Sequence, residues 1–312
     1  MFRSILVPLD GSDLAEQALP LAVSIAERAG AELTLLQVVP LPKDPLALEG
    51  TWLSVDEQLE LLQGNAREYL KDVARRLQAA ASGEPRGLTP KRDTSVGEAA
   101  VSIVDYAGAI RADLIIMATH GRSGLSRWAL GSVTDRVLQL GHAPMIIVRP
   151  QATAPVSSDR LPTLDRIMIT LDGSELAEFI FPVATELGRL FHSELVLFRA
   201  AVLPAVSYTS PDVMLLQSDL WTGVEAEARA YLQTVASPLE AQGLKVRTLT
   251  MPNSVVDSIV AAAEDTDVDL IAMTTHGRSG LNRVVYGSVA DRVVRSGVRP
   301  VLVVRPPMEP PV

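Results

Sequence analysis

Two stretches of this chain, 119–137 and 275–293, match without a gap at 14 of 19 positions. A chain that carries one unit twice must fold it twice, so the repeat constrains the architecture before any local pattern does. Its core reads Thr-His-Gly-Arg-Ser-Gly-Leu, beginning at Thr119 and again at Thr275. A second anchor pairs Leu9-Asp10-Gly11-Ser12 with Leu171-Asp172-Gly173-Ser174, and a third pairs the segments 145–150 and 301–306, each closing in Val-Arg-Pro. The offset is 162 residues at the early anchor and 156 at the late ones, so the repeats differ by six residues somewhere between. The expected domains are 1–150 and 164–312, joined by a linker, 151–163, rich in proline, serine and alanine. Each is long enough to bury a core of its own.

Within each repeat, short apolar runs alternate with segments of helical period. The first repeat predicts strands over 4–9, 32–39, 88–94, 113–118 and 144–148; the second predicts them over 166–171, 194–200, 245–249, 269–274 and 300–304. A helix is expected through Leu14, Ala18, Leu21, Ala22 and Ile25, ending at Gly30. Others follow over 55–80 within a helical region of 46–80, from Gly97-Glu98 through Ile103 and Ala107, and over 132–140, with 210–236 helical in the second repeat. Strands separated by helices make an α/β fold, here two tandem open parallel sheets with helices on both faces. Such sheets bind ligands beyond the carboxyl ends of their strands, where strand order reverses. Asp10, Asp172 and the two Thr-His-Gly-Arg-Ser-Gly segments all follow predicted strands.

Charge narrows the partners. With 28 basic and 37 acidic residues the net charge is −9, which repels a phosphate backbone, and no lysine or arginine run offsets it. Polynucleotides are therefore not expected, whereas a small anion held by backbone N–H groups is compatible with the charge. No apolar stretch is long enough to span a membrane, and the start of the chain meets Pro8 and Asp10 too early for a secretory signal core. The chain has no cysteine, which removes disulfides and thiolate chemistry and makes a reducing cytoplasm the expected compartment.

Three features carry chemistry, and each has two readings. Gly121, Gly124 and Gly131 allow close backbone approach, and Gly131-Ser132 stands where a helix begins, so free N–H groups and the helix dipole form a phosphate cradle there. Alternatively the glycines only turn the chain and Ser132 is an N-cap. Asp10 and Asp172 either accept hydrogen bonds from a ribose or base, or are helix-start acids. His120 and His276 lack a nucleophile or carboxylate at a recognisable spacing, so contact or structural roles are favoured over catalysis, and Arg122 and Arg278 are phosphate contacts or plain surface arginines. The four histidines show no metal-ligand spacing. Neither a Walker loop nor a Gly-x-Gly-x-x-Gly fingerprint is present.

The opening Ile5-Leu6-Val7-Pro8-Leu9-Asp10-Gly11-Ser12, the segment 117–132 and the closing Ala143-Pro144-Met145-Ile146-Ile147-Val148, found in order and twice, resemble the universal stress protein family in its tandem form. The resemblance implies two adenine nucleotide alpha hydrolase-like domains, paired about a pseudo-two-fold axis through 144–148 and 300–304, with a homodimer as a further assembly. It also implies ATP, ADP or AMP as ligand; Ser132 and Ser288 could ligate Mg2+ together with the phosphates, though the sequence places no second carboxylate for that job. Nucleotide-binding members carry Gly-x2-Gly-x9-Gly-Ser/Thr. Here the last elements match as Gly121, Gly131 and Ser132 and as Gly277, Gly287 and Ser288, but the first glycine is Ala118 or Thr274. If that position needs positive φ, both residues are strained; if it is an extended strand end, both are allowed, and the second case is favoured. The family's adenine contacts fall on Pro8, Asp10 and Val38, against Thr170, Asp172 and Ala200 in the second repeat. Leu9, Met117, His120, Arg122, Gly124, Val133 and Thr134 join them in the first repeat, and Met273, Arg278, Gly280 and Val289 in the second. The expectation is a regulatory, stress-response nucleotide binder, tighter in the first repeat, with at most slow ATP hydrolysis. The alternative is an interaction module without nucleotide, acting through a protein partner.

Overall fold

The computed structural model describes residues 2–44, 46–48, 51–80, 88–119, 130–149, 161–202, 211–252, 254–275, 287–296 and 299–306. Contacts divide the chain into two compact units, Met1–Thr163 and Leu164–Val312. Most of the 151–163 segment lies outside the described residues.

The first unit runs β1 (Ser4–Leu9), α1 (Asp13–Glu16), α2 (Leu19–Ala29), β2 (Glu32–Val39), a small hairpin of β3 (Leu46–Leu48) and β4 (Thr51–Leu53), α3 (Val55–Ala80), β5 (Lys91–Val96), α4 (Ala99–Ala109), β6 (Leu114–Ala118), α5 (Ser132–Leu140) and β7 (Met145–Val148). Its sheet is ordered β7-β6-β1-β2-β5, every pair parallel. The second unit runs β8 (Arg166–Thr170), α6 (Glu175–Glu178), α7 (Phe181–Phe191), β9 (Glu194–Ala201), α8 (Pro211–Ala241), β10 (Lys245–Pro252), α9 (Val255–Asp265), β11 (Leu270–Thr274), α10 (Ser288–Ser296) and β12 (Val301–Val304). Its sheet is ordered β12-β11-β8-β9-β10, again parallel throughout.

The central strands are continuous apolar runs because both faces are covered. Ile5, Leu6, Val7, Leu33, Leu35 and Leu36 are buried completely, as are Ile167, Met168, Ile169, Leu195, Val196 and Leu197. A parallel strand exposed on one face would alternate polar residues instead. Chain order moves outward from β1 through β2 to β5, then returns to the other side of β1 for β6 and β7. With right-handed crossovers, α2 and α3 fall on one face of the sheet and α4 and α5 on the other.

Three predicted elements differ from the structure. The first helix is two, α1 and α2, because Pro20 has no N–H to bond the preceding turn and instead starts a new helix; Pro182 does the same before α7. The strand expected over 88–94 is shifted to Lys91–Val96, since its polar sequence leaves register to its pairing with β2, Thr34 to Lys91 onward. The 46–54 part of the helical region is the β3-β4 hairpin, Leu46 paired with Leu53. The ladders also locate the six-residue difference between repeats. Thr34 pairs Lys91 whereas Val196 pairs Arg247, so the offset has fallen from 162 to 156 by these strands. The extra residues of the first repeat therefore lie between α3 and β5.

Gly30 caps α2 in the left-handed region, at φ 63°, with its N–H bonded to the carbonyls of Ala26 and Glu27. His192 occupies the matching place after α7 at φ 56°. Left-handed backbone disfavours a residue with a Cβ. Gly30→Ala is therefore expected to cost about 1 kcal/mol, and His192→Gly to gain a smaller amount, about 0.5 kcal/mol, because glycine also loosens the unfolded chain. Urea unfolding of the two variants checks this: the midpoint falls for the first and rises for the second.

Candidate nucleotide site

Each sheet reverses its strand order beside its first strand, between β1 and β6 and between β8 and β11. There the loops leaving the two carboxyl ends diverge and open a crevice. A cavity of about 250 Å3 lies at this place in the first unit, lined by Pro8, Leu9, Asp10, Val38, Met117, Ala118, Gly131, Ser132, Val133 and Thr134, together with Ala15, Ala99, Ile103 and Thr119. In the second unit a cavity of about 460 Å3 is lined by Thr170, Asp172, Ala200, Met273, Thr274, Gly287, Ser288 and Val289, among others. All the described residues that the sequence singled out thus fall on one of these two walls. His120, Gly121, Arg122 and Gly124, with His276, Gly277, Arg278 and Gly280, lie outside the described residues.

Local chemistry holds the walls in place. Asp10 follows β1, and its Oδ1 accepts from the Ser12 amide at 3.0 Å and from the Ser12 hydroxyl at 2.6 Å. Ser12 in turn caps α1, its Oγ accepting from the Ala15 N–H. The cap is therefore Ser12, and Asp10 braces it from the cavity side. Asp172 and Ser174 repeat the arrangement at 2.9 and 2.6 Å.

At the far wall, Ala118 and Thr274 are the last residues of β6 and β11 and neither has positive φ. Extended backbone admits alanine and threonine, so neither residue strains the chain. The next carbonyl along, that of Thr119, accepts the Gly131 N–H at 2.7 Å, and Thr275 accepts from Gly287 at 2.8 Å. In the first repeat the Thr134 hydroxyl adds a bond to the Ala118 carbonyl at 2.9 Å. Ala290 stands in that place in the second and cannot make it. These bonds pin the start of α5 against the end of β6. The N-cap of α5 is Gly131, extended at φ −60° and ψ 143°, and no side chain caps the helix. The reading of Ser132 as the N-cap is thus corrected. Ser132 is the first helical residue, and it is exposed. An α-helix leaves its first amides without intrahelical acceptors, so this end presents N–H groups and the positive end of the dipole to the cavity.

Sequence reasoning passed over one repeated pair. Glu16, only 5% exposed, accepts from the Tyr69 hydroxyl at 3.0 Å and from both ends of the Arg76 guanidinium at 2.9 and 2.8 Å. Tyr231 donates to Glu178 at 2.8 Å. Both pairs keep the 162-residue offset, the signal that would have revealed them. They tie α3 to α1 and α8 to α6, beneath Asp10 and Asp172. Burial, then the Glu16 charge and hydrogen bond, then the Asp10 charge push the Tyr69 phenol well above its ordinary value, and Tyr231 is raised for corresponding reasons.

The comparisons with known proteins agree with this geometry. The model of the universal stress protein family matches residues 1–149 and again 163–305. A universal stress protein of Methanocaldococcus jannaschii is 35% identical over 150 residues, spanning 48% of this chain and 83% of that protein. A universal stress protein of Mycolicibacterium smegmatis is 26% identical, with 97% of both chains covered. Among solved structures, a universal stress protein from Archaeoglobus fulgidus superposes with a TM-score of 0.67 over 97% of this chain and 96% of its own, at 20% identity, a likeness of fold.

The raised phenol gives a pH dependence. The unfolded tyrosine releases its proton near its ordinary value of 10.0, whereas the folded one holds it higher. The stabilisation is therefore complete below about pH 10 and is lost as the pH rises above it. Tyr69→Phe is expected to lower stability near neutrality by about 1.5–3 kcal/mol, the worth of a hydrogen bond to a charged group, and to flatten the alkaline decline. Urea unfolding at a series of pH values tests both parts.

Proposed function

Because this chain belongs to the universal stress protein family, we propose that it is a stress-response protein whose regulatory ligand is an adenine nucleotide, ATP foremost, bound more tightly by the first repeat. The observation that carries the reading is the first cavity: an apolar wall of Pro8, Val38 and Met117, a carboxylate at Asp10 and the uncapped start of α5 meet at the point where strand order reverses. An apolar wall and a carboxylate suit a base and ribose, and free helix-start amides suit phosphate.

In this reading Pro8 and Val38 flank the base, and Asp10 accepts hydrogen bonds from the nucleoside. The amides of Ser132 and Val133 meet the phosphates, with the 121–124 segment, outside the described residues, supplying further N–H groups. Mg2+ would enter with the phosphates and take the exposed Ser132 hydroxyl as its protein ligand. Among the described residues no group of three His, Asp or Glu side chains could hold a metal ion alone. Bound nucleotide brings charge and polyphosphate to the start of α5, and its role is to shift the shape or partner choice of the chain.

Two further observations bear on the setting. Among the described residues no helix is long and apolar enough to cross a membrane. A chain without cysteine suits a reducing compartment, and we assign the protein to the cytoplasm on that ground.

The test uses freshly purified, nucleotide-stripped protein. Mg-ATP at 100 times its dissociation constant stabilises a native state by about 2.7 kcal/mol, which for a domain of this size is a rise in melting temperature of roughly 5–10 °C. Denaturing unstripped protein should release adenine nucleotide at about one per chain. Gly131 is not in the left-handed region, so what it contributes is the lack of a side chain; Gly131→Leu adds an isobutyl group at a residue that lines the cavity and should abolish both signals. Unchanged affinity in that variant overturns the cradle.

A further inference from the structure

The two cavities differ at one end. In the second repeat the wall continues from Ala200 to Arg199 on β9 and to Val224 and Glu227 on α8. In the first repeat the matching residues, 162 positions earlier, are Gln37, Leu62 and Asn65, and none of them lines the cavity. The added wall carries a charged pair. Arg199 is only 8% exposed, donates from Nη2 to Glu227 at 2.9 Å and rests over the Tyr231 ring at 5.0 Å. Tyr231 is itself fixed by its bond to Glu178. The guanidinium is thus held in one plane, stacked on one side and bonded at one nitrogen, and its remaining N–H groups have no protein partner among the described residues. Arg199 lines the cavity, where water or a ligand can serve those N–H groups as acceptor.

The chemistry of that acceptor follows from the pair. Glu227 already offsets the arginine charge, and a second carboxylate or a phosphate brought here would meet it as a like charge. A neutral group with acceptors beside donors fits better. Guanine has this edge: O6 and N7 accept, the pairing arginine makes most often with a base, while N1–H and the N2 amino group donate and suit a carboxylate. Adenine turns an N6 amino donor toward the position where guanine has O6, and a guanidinium has no acceptor to meet it. Thr170 and Ala200, in place of Pro8 and Val38, leave a more polar and wider seat, in keeping with about 460 Å3 against about 250 Å3.

We infer that the cavity of the second repeat is a guanine-nucleotide site, with Arg199 and Glu227 reading the base and the start of α10 receiving the phosphate. The inference rests on the reading of these strand-end cavities as nucleotide sites. One protein would then sense two nucleotides, one in each repeat.

Calorimetric titration of the stripped full-length chain with Mg-ATP and, separately, Mg-GTP tests it. The expected result is one GTP site per chain that ATP at saturation of its own site does not displace. Arg199→Gln, which installs the residue of the first repeat, should weaken GTP at least about tenfold, and Glu227→Gln, a change at an exposed side chain that leaves folding intact, should weaken it several-fold. ATP binding without GTP binding overturns the guanine assignment and leaves the adenine reading standing. GTP binding that is unchanged in both variants overturns the role given to the pair. Failure of both nucleotides to bind overturns the proposed function and this inference together.

Discussion

Everything at the candidate site depends on how β1 and β8 are flanked. Each is the first strand of its sheet and is hydrogen-bonded on both sides, β1 by β2 and β6, β8 by β9 and β11. A parallel strand with two neighbours can lay its next crossover on only one face at a time. The chain therefore departs from β1 one way and returns on the other, and the carboxyl ends of β1 and β6 are left without a helix between them. That gap is a product of connectivity, present whatever residues line it. What the residues decide is whether it stays open and what it welcomes.

Backbone hydrogen bonds keep it open more than side chains do. The bond from Gly131 to the Thr119 carbonyl and its copy from Gly287 to Thr275 hold the start of a helix at the rim of the sheet in both repeats. The first repeat adds the Thr134 hydroxyl on Ala118; the second, with Ala290, does without it and still has the wider cavity. On the opposite rim, Asp10 and Asp172 bond the serine that caps the next helix. These aspartates do the structural work of a turn and also stand on the cavity wall.

The fold was legible because burial on two faces leaves a simple trace: uninterrupted apolar runs of strand length, separated by helical period and repeated at a fixed offset. β1, β2, α3 and α5 can be read residue for residue on that basis. Where the pattern lacks apolar residues, reading fails for physical reasons. β5 is polar at every residue but Val96 and lies at a sheet edge, and only its ladder with β2 sets where it begins. The break between α1 and α2 follows from one missing N–H at Pro20, invisible to a count of apolar positions. At the cavities, Gly131, Gly287 and the strand-end residues could be picked out because they repeat; the Glu16–Tyr69 pair repeats as well but is far apart in sequence, and Ile103 joins the wall only through three-dimensional proximity.

Comparing the repeats shows where divergence is tolerated. Inside the sheets, Ile5, Leu6 and Val7 correspond in the repeat to Ile167, Met168 and Ile169, all fully buried and all apolar, because a close-packed interior answers a change of volume or polarity with a loss of stability. Toward the strand ends the copies differ, although Pro8, Thr170, Gln37 and Arg199 are still buried. Pro8 becomes Thr170, Val38 becomes Ala200 and Gln37 becomes Arg199. The last exchange is the most instructive. Gln37 is 9% exposed, and its Oε1 is buried without a partner among the described residues, a cost the first repeat carries. In the second repeat the matching arginine bonds Glu227 and rests over Tyr231, the copy of Tyr69, and it stands on the cavity wall. A duplicated scaffold thus keeps its sheet by packing and differentiates at the carboxyl ends of its strands, where a new side chain changes the cavity wall and leaves the ladders of the sheet in place.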